Sequence, residues 1–254
     1  MQKLTGLLIT YNEEDNIKRC LDSLAFADEI IVVDSFSTDA TTEIIKEYYP
    51  QVKLFQRPFK NFTDQKSYAL AQSSNDWVFF IDADEEITPS LQEELKNVLA
   101  SKEIKTNGFW IYRQFFFMEE KLRFSGWQTD KNLRFFRKSK SKFTAWRIVH
   151  ETVEVDGHVG RLEKKLNHFA YDDYKDYKNR MIKYGRMRAQ QEWPKEKKSY
   201  PFGQILRPIW KFFNHYILRF GILDGKKGIV ICYLNALGVH ARYRELNRLH
   251  KKQY

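Results

Sequence analysis

The chain has 254 residues, 43% of them hydrophobic and 16% aromatic, and its formal net charge is +10. This length suits one large domain or one domain with an appendage, and the aromatic content excludes a disordered chain. The two cysteines lack the spacing of a metal or redox motif, and no apolar run is long enough to span a bilayer. No signal peptide is recognisable, so we expect a cytoplasmic protein.

The charge is distributed unevenly along the chain. Residues 1–100 carry 18 acidic and 9 basic side chains, whereas residues 101–254 carry 15 acidic and 34 basic ones. An acidic first hundred residues suits cation binding and would repel the phosphates of nucleic acid, which we therefore exclude as a partner. The basic remainder predicts an anionic partner.

The first hundred residues alternate between strand-like and helix-like segments. Four such repeats joined by short loops predict an α/β fold with a mostly parallel sheet and helices on both faces. The predicted strands are Leu4–Thr10, Glu29–Asp34, Val52–Phe55 and Asp76–Ile81, and the predicted helices are Glu14–Leu24, Thr41–Tyr49, Asp64–Ala71 and Ser90–Leu99.

The pattern changes after Gly108. The aromatic run Phe109–Phe117 and the segment Asn132–Arg137 are predicted strands that extend the same sheet, and Asp172–Gln191 is a predicted charged helix. We place one α/β domain at residues 1–170 and a helical basic extension at residues 171–254.

The extension contains an amphipathic segment with two predicted faces. Basic side chains recur every fourth residue, and large apolar side chains fall on another face of the same helix. One interpretation is a helix lying in a membrane interface, which the charge favours; the other is a helix packed on the domain with a solvated rim. The basic set is Arg207, Lys211, His215 and Arg219, and the apolar set is Trp210, Phe213, Ile217 and Phe220.

Acidic residues follow two of the apolar strands. Asp34 ends the second strand, and Asp82 and Asp84 end the fourth. Ligands bind at the carboxyl edge of open parallel sheets, where Asp34 could accept a hydrogen bond from a nucleobase. Two carboxylates one residue apart could share Mg²⁺ or Mn²⁺, whose shell is completed by water and phosphate oxygens. A solvated acidic turn is the alternative, but the apolar strand before Asp82 favours metal-assisted binding of a nucleotide diphosphate.

Other polar clusters are weaker signals. After the first strand, Thr10-Tyr11-Asn12-Glu13-Glu14 could stack on a base and reach a ribose, or could be a turn before an acidic helix start. Glu85 and Glu86 are expected to open a loop.

Two further clusters lie in the middle of the chain. Glu151 is a candidate general base, and His150 could help to hold a metal or orient Glu151; both could equally be polar residues at a strand end. Trp127, Asp130 and Arg134 could form an acceptor wall and a phosphate contact, or simply a loop.

Together these residues resemble family 2 glycosyltransferases, which have the GT-A nucleotide-sugar-binding fold. The middle and the end of the chain are similar to the small lipopolysaccharide core biosynthesis glucosyltransferases of Gram-negative bacteria. The motifs for the family are Thr10-Tyr11-Asn12-Glu13-Glu14, Val32-Val33-Asp34-Ser35 with Thr38-Asp39, and Asp82-Ala83-Asp84-Glu85; those for the narrower group are Gly126-Trp127, Asp130, Arg134-Phe135-Phe136-Arg137, Val149-His150-Glu151, and Asp224-Gly225 with Gly228.

The resemblance implies an inverting transfer from a nucleoside-diphosphate donor, a UDP-sugar, to a lipopolysaccharide-core or related glycan or lipid-linked acceptor. It implies that Asp34 holds the base, that Asp82 and Asp84 serve the metal and the donor sugar, and that Glu151 is the base. Lys66, on the third helix, would reach the donor. Residues 1–100 would be the nucleotide-binding half, residues 101–170 the acceptor half, and the basic extension would contact the anionic inner face of the plasma (inner) membrane.

Two alternatives stay open from the residues alone. A metal-dependent phosphotransferase or phosphatase also uses paired aspartates, although near its first strand, and a non-catalytic protein could use the basic extension to bind an anionic surface. A dinucleotide oxidoreductase is disfavoured because no glycine-rich turn follows the first strand.

Overall fold

The computed structural model describes residues 2–144, 153–171, 173–193 and 202–251. The chain divides into two compact units: unit 1 comprises Met1–Arg113 and Lys131–His168, and unit 2 comprises Gln114–Asp130 and Phe169–Tyr254. In chain order the elements are β1 Leu4–Thr10, α1 Ile17–Leu24, β2 Glu29–Asp34, α2 Thr41–Tyr48, β3 Lys53–Gln56, α3 Phe62–Gln72, β4 Trp77–Asp82, β5 Glu85–Ile87, α4 Pro89–Ala100, β6 Gly108–Phe117, β7 Glu120–Lys121, β8 Lys131–Arg137, β9 Ser141–Phe143, β10 Val153–Val155, β11 Val159–Arg161, β12 Leu166–Tyr171, α5 Tyr174–Glu192, α6 Gly203–Phe213 and α7 Gly225–Lys251.

The centre of unit 1 is a parallel sheet with the strand order β3-β2-β1-β4. Leu7 of β1 pairs with Ile31 of β2 on one side and with Phe80 of β4 on the other. These strands are almost continuous apolar runs because helices cover both faces of a parallel sheet.

Antiparallel strands extend this sheet. β8 runs antiparallel to β4, β6 runs antiparallel to β8, and β12 runs antiparallel to β5. The mixed extension predicted for residues beyond Gly108 is therefore present.

Two apolar cores cover the two faces of the sheet. Leu8 and Val32 pack on one face with α1, α2 and α4, whereas Leu7, Ile31 and Val33 pack on the other face with α3. Successive residues of a strand point to opposite faces, so each strand supplies both cores.

Unit 2 is built around two long helices. Tyr177 of α5 and Leu234 of α7 are buried in one cluster with Phe115. α7 lies within the predicted helical extension, although the sequence analysis gave it no bounds of its own. No described helix has both the length and the apolar character needed to cross a bilayer.

His215 corrects the prediction of one continuous basic face. α6 ends at Phe213 and is followed by a π-helical turn, Asn214–Leu218, in which each turn contains more residues than an α-helical turn. His215 is buried there, and its Nδ1 lies 2.8 Å from the carbonyl oxygen of Ser125. His215 is therefore a buried member of the predicted basic set, although it stays near Lys211.

Candidate active site

The carboxyl ends of β2 and β4 flank the end of β1. Asp34 stands beside Thr10 in the ladder, and Asp82 stands beside Ile9. Two strand spacings separate the backbones of Asp34 and Asp82, which is about 10 Å. The two predicted acidic positions therefore lie at the same edge of the sheet.

Asp82 is the centre of a charged cluster at this edge. Its carboxylate accepts a hydrogen bond from Arg134 Nη2, and its Oδ1 lies 3.8 Å from Lys66 Nζ. Burial works to raise the pKa of Asp82, but Arg134 and Lys66 lower it well below its usual value. The Asp82 side chain is 35% exposed, against 5% for Arg134 and 10% for Lys66. A ligand can thus reach the carboxylate, while its two cations stay covered.

Glu85 differs from the sequence expectation. It does not open a loop: it begins β5 and is fully buried. Its Oε1 accepts from Arg113 Nη1 at 3.0 Å and from Arg134 Nη2 at 2.6 Å, and its Oε2 accepts from the backbone N–H of Asp82 at 3.0 Å. Glu85 therefore holds both Arg134 and the backbone that carries Asp82.

Asp84 faces a histidine that the sequence prediction missed. His168 Nε2 lies 3.4 Å from Asp84 Oδ2, because β12 pairs His168 directly with Glu85. Burial works to raise the pKa of Asp84, but His168 lowers it below its usual value. The Asp84 side chain is 22% exposed, so a small ligand can reach this pair.

Asp84 and His168 fit a divalent cation that also binds phosphate. Among the described residues, no three carboxylate, histidine or cysteine side chains gather into a closed metal site. Mg²⁺ sites in phosphate-handling enzymes need only one or two protein ligands, because substrate oxygens and water complete the shell. The metal role predicted for Asp82 stays a prediction, and in the structure Arg134 and Lys66 already compete for its carboxylate.

Hydrogen bonds join the loops that follow β1 and β2. The backbone N–H of Asn12 donates to Ser37 Oγ at 2.9 Å, and Asn12 Oδ1 accepts from the backbone N–H of Thr38 at 2.8 Å. The backbone N–H of Glu13 donates to Thr41 Oγ1. α1 begins at Ile17, three residues later than predicted.

Tyr11 and Asp34 differ in accessibility within these loops. Tyr11 is 55% exposed, as stacking on a base would require. Asp34 is fully buried and accepts hydrogen bonds from the backbone N–H and the hydroxyl of Ser37 and from Gln56 Nε2. The base-binding role of Asp34 stays a prediction.

The model of the family described as glycosyl transferase family 2 matches residues 7–154, which is more than half of the chain. The chain belongs to this family. It is therefore a glycosyltransferase, and this favours the predicted enzyme over the phosphotransferase and the non-catalytic alternatives.

Several relatives match nearly the whole glycosyltransferase chain. The lipopolysaccharide core biosynthesis glycosyltransferase LpsC of Rhizobium meliloti (strain 1021) is 27% identical over 251 residues, covering 94% of this chain and 93% of LpsC. An uncharacterized glycosyltransferase of Rickettsia typhi (strain ATCC VR-144 / Wilmington) is 28% identical and covers 99% of this chain and 89% of its own. The crystal structure of S. aureus TarS 1-349 has 15% identity and a TM-score of 0.47, with 99% of this chain and 92% of that chain covered. The predicted fold class, an α/β fold with a mostly parallel sheet, is confirmed by the strand order and by the family match.

Four further predicted site residues of the glycosyltransferase remain, namely His150, Glu151, Trp127 and Asp130. His150 and Glu151 fall outside the described residues. Trp127 and Asp130 belong to unit 2, where the Trp127 ring stacks on Phe115 with centroids 3.9 Å apart. The backbone N–H of Asp130 donates to the carbonyl oxygen of Trp127 at 3.1 Å. Their acceptor roles stay predictions.

The motif Asp224-Gly225 anchors the loop before Trp127. The Asp224 carboxylate accepts hydrogen bonds from the backbone N–H groups of Arg123 and Phe124 and from the hydroxyl of Ser125. Ser125 and Gly126 have positive φ angles of 59° and 94°, so the loop needs this support. Two motifs that lie a hundred residues apart thus form one structural feature of unit 2.

Proposed function

We propose that this glycosyltransferase moves a sugar, with inversion, from a UDP-sugar to a lipopolysaccharide-core or related glycan or lipid-linked acceptor. The observation that carries the proposal is the reachable Asp82 carboxylate, backed by two covered cations and next to the Asp84–His168 pair. The name of the LpsC relative supports the class of acceptor.

The charged edge suits a donor with two phosphates. Lys66 and Arg134 are fixed cations in a poorly hydrated setting, where they act more strongly on developing negative charge than they would in water. Asp82 can accept hydrogen bonds from hydroxyl groups of the donor. Glu85 keeps Arg134 in place, so little reorganisation is needed as the charge on the diphosphate grows.

Asp84 and His168 are the residues that would hold Mg²⁺ or Mn²⁺. A cation bound there would supply Lewis-acid stabilisation of the departing diphosphate. An aspartate carboxylate such as that of Asp84 is ionised at neutral pH, which is the form that binds a cation.

The proposed chemical step is a single displacement. Glu151 takes the proton of the acceptor hydroxyl, whose oxygen forms a bond to the anomeric carbon. The bond from that carbon to the diphosphate oxygen breaks on the opposite face, and the electron pair leaves with UDP. Attack and departure on opposite faces invert the anomeric configuration. We further propose that transfer occurs on the cytoplasmic side, at the inner face of the plasma (inner) membrane.

Calorimetric titration of UDP with and without Mn²⁺ tests the donor site. We expect metal-dependent UDP binding, and we expect Asp84→Asn to weaken it by about tenfold or more because the cation loses its carboxylate ligand. Asp76→Asn is the matched control: Asp76 precedes the other end of β4, pairs with Arg137 and should leave UDP affinity unchanged.

Two results would refute the parts separately. Equal UDP affinity in Mn²⁺ and in chelator would refute the metal site. No UDP binding under either condition would refute the proposal that the donor is a UDP-sugar.

A further inference from the structure

Helix α6 presents its apolar side to solvent. Six apolar side chains on one stripe of α6 and the residue before it are between 45% and 69% exposed. They are Phe202, Ile205, Leu206, Ile209, Trp210 and Phe213, which we call the α6 stripe.

The opposite side of α6 is polar and packs against α7. Gly203 is buried, the carbonyl oxygen of Gln204 lies 2.9 Å from His240 Nδ1, and Gln204 Oε1 accepts from Asn247 Nδ2 at 3.2 Å. The orientation of the stripe is therefore set by hydrogen bonds to α7. Its exposure is a feature of the packed unit and does not come from an unpaired helix.

The turns after α6 expose further large apolar side chains. Leu218, Phe220 and Leu223 are 52%, 56% and 65% exposed. Proteins rarely leave so many large apolar side chains in one segment exposed to water, and such surfaces mark contacts with a protein or a membrane.

Basic residues accompany this surface and lack local counter-ions. Among the described residues, Arg207, Lys211, Arg219 and Lys226 form no salt bridge, and the sole acid between residues 202 and 233 is Asp224. The Asp224 carboxylate already accepts hydrogen bonds from the loop before Trp127. Burial, Arg219 and Arg188 lower the pKa of Lys211, as expected for like charges placed close together.

We propose that this surface lies in the interface of an anionic lipid bilayer, with the α6 stripe among the outer acyl carbons and the basic residues at the lipid phosphates. A helix with one apolar face and a basic flank binds such an interface in its plane. The inference deepens the proposed function. It rests on that function in one respect: contact with the membrane would bring the enzyme to a lipid-linked acceptor.

A second copy of the chain fits this surface less well. A two-fold contact would bring the same basic residues of both copies together, and the surface offers no free acid to pair with them. An anionic bilayer supplies the missing negative charge.

Vesicle flotation with the full chain tests the inference. We expect strong binding to phosphatidylcholine vesicles that contain phosphatidylglycerol and weaker binding to phosphatidylcholine alone. Ile209→Glu should weaken binding to the anionic vesicles about tenfold or more, because it removes apolar burial and adds a like charge. Arg207→Ala should weaken it about fivefold, with no effect on neutral vesicles. Tyr48→Glu, at a 58% exposed position of α2, is the matched control and should bind like the wild type.

Three outcomes would overturn the inference. They are failure of the wild type to float with anionic vesicles, flotation of Ile209→Glu equal to the wild type, and a wild-type dimer in light scattering that Ile209→Glu dissociates. UDP titration of the same samples separates the two proposals. Protein that binds UDP but not vesicles refutes only the membrane contact, and protein that binds vesicles but not UDP refutes only the donor site.

Discussion

Charged side chains are usually exposed in a folded protein and large apolar side chains are usually buried. The sheet edge of unit 1 departs from the first rule, and helix α6 of unit 2 departs from the second. At the edge, charged Glu85 and Arg134 are buried, whereas on α6 apolar Ile209 and Trp210 are exposed. The buried charges have partners in the same unit, which offset the loss of water. No described contact covers the α6 stripe. Because deviations of this kind concentrate at functional sites, each region points to a different ligand: a polar donor in one case and an apolar, anionic surface in the other.

The largest expected effect comes from removing the shared acid of the buried network. Glu85→Ala leaves Arg113 and Arg134 without their common carboxylate in a buried position. Arg134 keeps Asp82 as a partner, and removing one member of a buried charge pair costs about 3–5 kcal/mol. We expect urea unfolding to show a loss of this size, together with a loss of transfer activity because Arg134 is no longer held beside Asp82.

Glu93→Ala is the control for this variant. Glu93 is an exposed glutamate of α4, and its loss should change stability by less than about 0.5 kcal/mol. If Glu85→Ala were equally mild, the charges at the edge would be well hydrated, and the contrast with α6 would disappear.

A smaller effect is expected from acid, through His215. Burial and the nearby Lys211 lower the pKa of His215 to about 4. The unfolded chain takes up a proton near its usual pKa of about 6.5, whereas the folded chain does not, so stability is complete above that value and falls as the pH drops toward 4. Between about pH 7 and about pH 5 the loss should be about 2 kcal/mol, measured by urea unfolding.

His215→Gln should reduce this pH dependence, since glutamine does not titrate. His158→Gln, which changes an exposed histidine, should retain it. An unchanged slope in His215→Gln would mean that other groups cause the acid sensitivity of unit 2.

Local patterns predicted the parallel centre of unit 1, because the periodicity of strands and helices in residues 4–100 depends on residues that are close together in the sequence. The same patterns placed Asp34 and Asp82 at one edge. They did not predict the burial of Glu85, because its partners Arg113 and Arg134 come from strands at least 28 residues away.

His168 and His215 show two other limits of the sequence. His168 is 84 residues from Asp84 and reaches it through the pairing of β12 with β5, which no local pattern contains. The burial of His215 was not predicted, because its contact with the carbonyl oxygen of Ser125 joins residues that are 90 positions apart. In β12, the histidine within the mostly apolar run Leu166–Tyr171 was the available signal for a polar group facing a site.

The smallest expected effect is at the α6 stripe itself. Ile209 is 61% exposed, so Ile209→Ala should change the free energy of unfolding by less than about 0.5 kcal/mol, since little apolar burial is lost and alanine favours the helix. Ile231→Ala, the same substitution at a fully buried position of α7, should cost about 2–5 kcal/mol. Urea unfolding of both variants without lipid measures the difference. Equal losses in the free energy of unfolding would show that the α6 stripe is already covered in the isolated protein. The contrast between exposed apolar residues on α6 and buried charges at the sheet edge would then be wrong.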